Sequence, residues 1–309
     1  MLKVVPHYYA AFRCVGGECR HNCCIGWEIG IDDDSLARYR NFPSPWRERL
    51  SEHIAFGDDA HFITDKHDRC PFLNTANLCD IQVAFGEKQL CAICREHPRF
   101  HNELPYRTES GLGLCCEAAA KLILGDPQPF SLCYSGTEEQ PDTIVALRDR
   151  LLAVLTDRSF TIQERCVRML SECGTAMPPH DLAAWCDVFL SLERLDPAWG
   201  DTVSLLKRAA DTDGFNRYMA KRQTEYEQLL VYFVYRHVAN ASTEEDAAVR
   251  ARFAVLCYMV LYAIGAVLFT KNGHFTFEEH CELARAFSAE IEYSDENLDI
   301  LWDTLGGIT

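Results

Sequence analysis

Ten cysteines crowd the first 116 positions of this 309-residue chain: Cys14, Cys19, Cys23, Cys24, Cys70, Cys79, Cys91, Cys94, Cys115 and Cys116. The other six of its sixteen cysteines are scattered over the remaining two thirds. The N-terminus, MLKVVPHYY, has no long apolar core and no small-residue cleavage site. A secretory signal is therefore not expected, and the expected compartment is the cytoplasm. In a reducing cytosol, dense thiols serve as metal ligands or reactive groups rather than as a disulfide framework. The segment is also rich in turn signals, among them Gly16-Gly17, Pro43, Pro45, Gly57, Pro71, Pro98 and Pro105. It reads as irregular loops and short helices organised by a metal.

The spacing gives three groups. Cys14-x4-Cys19-x3-Cys23-Cys24 can bring four thiols to one centre, and Gly16 and Gly17 let backbone N–H groups approach the sulfurs. Cys70-x8-Cys79 is followed by Cys91-x2-Cys94, and Cys115-Cys116 closes the series. Structural zinc usually shows two clean pairs across a short loop. These spacings are irregular and the thiols exceed four, so iron–sulfur and zinc both remain open.

After residue 142 a helical period takes over. Ile144, Leu147, Leu151 and Leu155 form one stripe. Ile162, Cys166, Met169, Leu170 and Cys173 form a second, and Leu182, Trp185, Cys186, Phe189 and Leu190 a third. A long helix is expected from about Asn216 to His237, then an apolar helix over 253–269 and shorter ones near 277–290 and 295–305. No period-two strand series is visible. The expected fold is mainly α: an irregular cysteine-rich metal-binding segment (residues 1–124) packed on an all-helical body (143–309), with a turn-rich linker over 125–142. Cys166, Cys173, Cys186 and Cys257 fall on apolar faces, where free cysteine acts as a small core hydrophobe.

The charge balance, 46 acidic against 30 basic residues for a net −16, repels phosphate backbones and excludes nucleic acid as an expected partner. It suits a lysine-bearing substrate, or serves solubility alone. The apolar run from Phe253 to Phe269 is slightly short for a membrane span and reads as a buried helix.

Three strings carry a resemblance: FRCVGGECRHNCCIGWEI, CPFLNTANLCDIQVAFGEKQLCAICREHPR and GLCCEAAAKLIL. With YEQLLVYFVYRHV and IEYSDENLDIL in the helical part, they are similar to the flagellin lysine-N-methylase family, within a broader group of zinc- or iron-chelating proteins. The resemblance implies ligand-type cysteines at Cys14, Cys19, Cys23, Cys24, Cys70, Cys79, Cys94 and Cys116, with Cys91 and Cys115 ranked lower. It implies S-adenosylmethionine-dependent methylation of lysines on flagellin or a similar protein, and a [4Fe-4S] cluster needed for activity. The chain has no G-x-G-x-x-G fingerprint and no Cys-x3-Cys-x2-Cys triad, so any S-adenosylmethionine site is of a non-standard kind.

Further candidates lie near the cysteines. Arg95, His97 and Arg99 would bind a cofactor carboxylate or neutralise a thiolate cluster, or are simply solvated. Trp27 would shield the cluster or merely pack. Asp32-Asp33-Asp34 opens a helix through Tyr39 by capping it, or forms a lysine-attracting mouth. Tyr232, Tyr235 and His237 are candidates to accept the lysine proton, or are core aromatics. The competing reading of the whole chain is a non-enzymatic zinc- or iron-binding protein with a carrier or structural role.

Overall fold

The stripes of the C-terminal two thirds fold as helices whose ends are set by capping side chains. The computed structural model describes residues 1–57, 59–137, 140 and 142–307. In order, the chain forms β1 (Leu2–Pro6), α1 (Asp33–Tyr39), α2 (Trp46–Glu52), β2 (Ile54–Ala55), β3 (His61–Phe62), α3 (Asp80–Phe85) and α4 (Ala92–Glu96). Next come β4 (Arg99–Leu104), β5 (Arg107–Leu112), α5 (Glu117–Leu124), β6 (Leu132–Ser135), α6 (Thr143–Thr156), α7 (Ile162–Glu172) and α8 (Leu182–Ser191). The rest is helical: α9 (Ala198–Val203), α10 (Thr212–Met219), α11 (Gln223–His237), α12 (Glu244–Asn272), α13 (Phe277–Ile291) and α14 (Asp295–Gly306). The chain is mainly α.

Two compact units divide it. One comprises Arg13–Phe100 and Cys116–Ala118, and so holds every clustered cysteine except Cys115. The other comprises Met1–Phe12, His101–Cys115 and Ala119–Thr309. The boundary expected between residues 124 and 125 falls inside this second unit, which also draws on the N-terminus. Glu138, Glu139 and Pro141 of the expected linker, and residues 308 and 309 of the expected helical body, lie outside the described residues.

A sheet of order β4-β5-β1-β6 is the main difference from the sequence reading. β1 runs parallel to β5, with Leu2 opposite Arg107, and antiparallel to β6, with Val4 opposite Tyr134. The expected linker thus contributes a strand. The period-two signal is hidden because β5 buries Arg107 and Glu109 at alternate positions where apolar side chains would be looked for. Arg148 of α6 compensates the carboxylate: its Nη1 and Nη2 each donate to Glu109 at 2.7 Å, and Arg107 Nη1 adds a bond at 3.0 Å. This bidentate pair joins sheet to helices without leaving a buried charge unpaired.

The helical unit is centred on α11 and α12, both buried on nearly every face. The buried glutamates of α11 are matched. Glu227 takes bonds from Arg158 and Arg165, and Glu225 from Arg222 and His280. α12 is long and apolar enough to cross a bilayer, but 72% of its most apolar 18-residue window is buried inside the protein, in keeping with the expected core helix. Thr243 caps its start and Gly273, at φ +75°, its end. The helix expected from about Asn216 to His237 is two helices instead. Arg222 leaves helical geometry between them, and its guanidinium clamps Glu225 and the Phe275 carbonyl. Cys166, Cys186 and Cys257 are buried as expected, and so is Cys281. Cys173 instead ends α7 half-buried, off the core stripe.

Arg148→Met is expected to cost about 3–5 kcal/mol, because it strands the Glu109 carboxylate in the interior. Urea unfolding measures this, and a loss below about 1 kcal/mol would show that the pair is dispensable.

Candidate metal centre

The cysteine-rich unit has a small core of its own. Ile29, Tyr39, Phe42, Leu50, Phe62, Phe72 and Ile81 pack with buried Cys70 and Cys91, and Cys24, Cys79, Cys94 and Trp27 lie against them. Backbone bonds fix the cysteine-bearing segments to one another. Cys70 N–H donates to the Cys24 carbonyl at 2.8 Å, and Leu73 N–H to the Cys70 carbonyl at 3.1 Å. Leu73 and Cys79 form an antiparallel bridge. Cys79 immediately precedes α3 and Cys91 immediately precedes α4, so Cys94 stands in the first turn of α4.

Asp32 holds that last helix in place. It caps α1, as its position predicts, accepting from the Ser35 N–H at 2.9 Å and the Ser35 hydroxyl at 2.7 Å. Its Oδ2 also accepts from the Ala92 N–H at 2.7 Å, at the start of α4. Arg38 Nη2 reaches the Leu90 carbonyl from the same helix, at 3.2 Å. Burial works against ionising Asp32, but the Ser35 and Ala92 bonds outweigh it and hold the carboxyl down to about 2.

All sixteen cysteines are free thiols. Six of them, Cys23, Cys24, Cys70, Cys79, Cys91 and Cys94, share one electrostatic neighbourhood. A hydrogen bond with the Cys24 thiol brings Cys23 down to about 7 against the effect of burial, and the same bond sends Cys24 up. Cys91 is lowered by its bond with Cys94, which is raised in turn. Burial, with Cys79 and Cys91 nearby, pushes Cys70 up to about 12. A second neighbourhood forms where burial raises Cys19 to about 11, with Glu117, Cys116 and Cys23 adding to the rise. Near it, Gly16 donates its N–H to Cys14 Sγ at 3.3 Å. Its φ of +56° favours glycine, and a Cβ on Gly17 would meet the Ala76 carbonyl at 2.6 Å. Among the described residues, no three or more His, Cys, Asp or Glu side chains are drawn into a ready-made metal-binding group. The thiols are gathered but not closed into a coordination shell.

The other candidates are spread over both units. Trp27 Nε1 donates to the Cys23 carbonyl at 2.8 Å, which seats its ring beside the thiol-bearing core. Arg95 bonds the Leu90 carbonyl at 3.4 Å and Glu96 at 3.3 Å, and Arg99 the Arg95 carbonyl at 3.3 Å. Burial drives His97 down to about 4, so its imidazole is neutral. Cys115 belongs to the helical unit, where it is hydrogen-bonded with the Tyr293 hydroxyl. Cys91, ranked low from sequence, is almost fully buried beside Cys94, and the Cys-x2-Cys spacing was its signal. A cleft of about 530 Å³ in the cysteine-rich unit is lined by Leu36, Tyr39, Leu50, Ile54 and Phe56 and by Arg40, Arg47, Glu48 and Glu52. Its charges balance, so it has no excess to draw a lysine.

Tyr232, Tyr235 and His237 all lie in the interior of the helical unit. The Tyr232 hydroxyl donates to Glu292 at 2.8 Å and accepts from the Leu114 N–H at 3.2 Å. Tyr235 donates to the Ser110 carbonyl at 3.1 Å. His237, kept neutral by burial, donates from Nε2 to Glu292 at 2.7 Å. Arg236 completes this buried group at 3.3 Å from Glu292.

Residues 192–306, which take in α9 to α14 and all three of these residues, match the model of the FliB lysine N-methylase C-terminal domain. Lysine-N-methylases of Salmonella typhimurium and Salmonella choleraesuis are each 28% identical over 134 residues, which is 41% of this chain and 33% of theirs. The flagellar biosynthetic protein FliU of Salmonella muenchen is 27% identical over 134 residues, 41% of this chain and 79% of that protein. The match thus spans about a third of the length of the two lysine-N-methylases. No solved structure matches. The likeness to the flagellin lysine-N-methylase family is borne out. The cysteine-rich unit lies outside the matched C-terminal domain.

Asp32 makes the site's anchoring testable. Its carboxyl is lower folded than unfolded, so its stabilisation is full above about pH 4 and lost as pH falls towards about 2. Asp32→Ala is expected to cost about 0.5–2 kcal/mol at neutral pH, with the gap from wild type narrowing between about pH 4 and pH 2. Urea unfolding over a pH series reads both effects. A gap that widens on acidification would contradict the assignment.

Proposed function

We propose that this chain is a protein-lysine N-methyltransferase whose cysteine-rich unit holds an iron–sulfur cluster of the [4Fe-4S] type. The observation that carries the proposal is a match to the FliB lysine N-methylase C-terminal domain over residues 192–306 together with a neighbourhood of six thiols in the same chain, Cys70 and Cys91 buried and Cys23, Cys24, Cys79 and Cys94 half-buried. The proposed methyl donor is S-adenosylmethionine, the proposed substrate is flagellin or a similar lysine-bearing protein, and the proposed compartment is the cytoplasm.

The chemistry of the donor set fits a metal. Burial and the neighbouring thiols together favour the protonated form of Cys24, Cys70, Cys79 and Cys94. Several thiolates coexist in so small a space only around a positive centre. Four of the six thiols of this neighbourhood would hold the cluster, leaving Cys14, Cys19 and Cys116 for a second centre or a supporting role. When bound, such a cluster supplies one-electron chemistry and a strong local charge. The protein's own part is to keep the thiols gathered through the Asp32–Ala92 and Cys70–Cys24 bonds and to cover them with Trp27.

Methyl transfer to lysine requires a neutral amine aligned with the donor methyl. The net −16 charge favours encounter with a cationic substrate. In this proposal Tyr232, Tyr235 and His237 organise the interior of the FliB-like domain, because their polar atoms already bond Glu292, Leu114 and Ser110 there.

Protein purified without oxygen should be brown and contain iron and sulfide, and should transfer label from S-adenosylmethionine to flagellin lysines. Stoichiometric zinc without sulfide would favour the zinc-binding reading and remove the cluster. Cys70→Ser should lose metal and loosen the unit, whereas Cys166→Ser, deep in the helical core, should keep full metal content. Equal metal loss in both would show that the site is misplaced.

A further inference from the structure

Tyr39 ends α1 with its side chain almost wholly buried, at 2% exposure. Its ring is held by aromatic neighbours, Phe42 at 5.4 Å and Phe62 at 6.3 Å between centroids. Its hydroxyl has no hydrogen-bond partner among the described residues. An unsatisfied buried hydroxyl costs roughly 1–3 kcal/mol, and nothing in the packing of the ring requires one, since phenylalanine would fill the same space. The residue shares its core with Cys70 and Cys91, against which Cys24, Cys79 and Cys94 also pack. Burial first, and then Cys91, Cys94 and Cys79, work against ionising the hydroxyl, with Arg38 opposing them. The unpartnered donor therefore lies in the same core as proposed ligands, without an acceptor among the described residues.

We propose that Tyr39 donates a hydrogen bond to a sulfur of the bound metal–thiolate centre and thereby raises its reduction potential. The inference rests on the iron–sulfur reading of the site. Such a bond stabilises the more negative, reduced form of a cluster over the oxidised form, and bonds to sulfur are one of the means by which a protein sets that potential. Tyr39 acts through the cluster, so it is a positioning residue and not a group that touches the substrate. Its burial makes the bond selective: water, which would otherwise compete for the same sulfur, is kept out.

The test compares wild type, Tyr39→Phe and Phe42→Leu, all purified without oxygen with their cluster in place. Iron and sulfide content is measured first, then the midpoint potential by a redox titration followed in the visible spectrum. Tyr39→Phe should retain the cluster, and its midpoint should move to more negative potential. Phe42→Leu alters packing against the same ring but leaves the hydroxyl, so its midpoint should stay at the wild-type value. An unmoved midpoint in Tyr39→Phe, or the same shift in both variants, overturns the role of the hydroxyl while leaving the iron–sulfur reading intact. Wild-type protein that holds no iron and sulfide overturns both.

Discussion

The constraint on which the cysteine-rich unit depends is the repulsion among thiolates in a small buried space. Cys70 and Cys91 are part of the core itself, where an apolar protein of this size would place valine or leucine, and four more thiols lie beside them. As thiols they pack well enough. Ionising Cys24, Cys70, Cys79 or Cys94 is opposed by burial and by the neighbouring thiols, so a positive charge nearby would be needed for several of them to ionise together. The paired directions at Cys23–Cys24 and Cys91–Cys94 express this: in each pair one sulfur is poised to ionise and the other is held protonated by it.

The helical unit solves the opposite problem. It buries formal charges and neutralises each with another: Glu109 with Arg148 and Arg107, Glu227 with Arg158 and Arg165, and Glu292 with Arg236, while neutral His237 adds a hydrogen bond to Glu292. These contacts join segments far apart in the chain, from β5 to α6 and from α11 to the residue just after α13. Replacing them by apolar packing would often leave a fold as stable, so their value lies in fixing which segments meet. That is why the polar atoms of Tyr232, Tyr235 and His237 are better understood as parts of this interior than as an isolated base.

How much of this was legible in the sequence follows from which physics was in play. Helices such as α6, α8, α13 and α14 were readable because one stripe of apolar residues at helical spacing suffices to specify them. The cap at Asp32 was readable for the same local reason. The sheet was not. Its inward face on β5 carries Arg107 and Glu109, and their burial becomes sensible only once Arg148, 39 residues further on from Glu109, is brought against them. The break between α10 and α11 was hidden in the same way, since Arg222 leaves the helix to bond a carbonyl at Phe275. At the candidate site, the cysteine spacing announced ligands, and the low rank given to Cys91 came from the resemblance rather than from its Cys-x2-Cys position.

Tyr39 shows where sequence reading runs out altogether. In the string DDDSLARYR it is one more apolar helical position, and its phenol has no pattern to betray it. Only the fold shows that this ring is buried in a core with Phe42, Phe62, Cys70 and Cys91 while its hydroxyl has no acceptor among the described residues. On the proposed reading, a sulfur-bridged cation would supply both a counter-charge for the thiols and an acceptor for the Tyr39 hydroxyl.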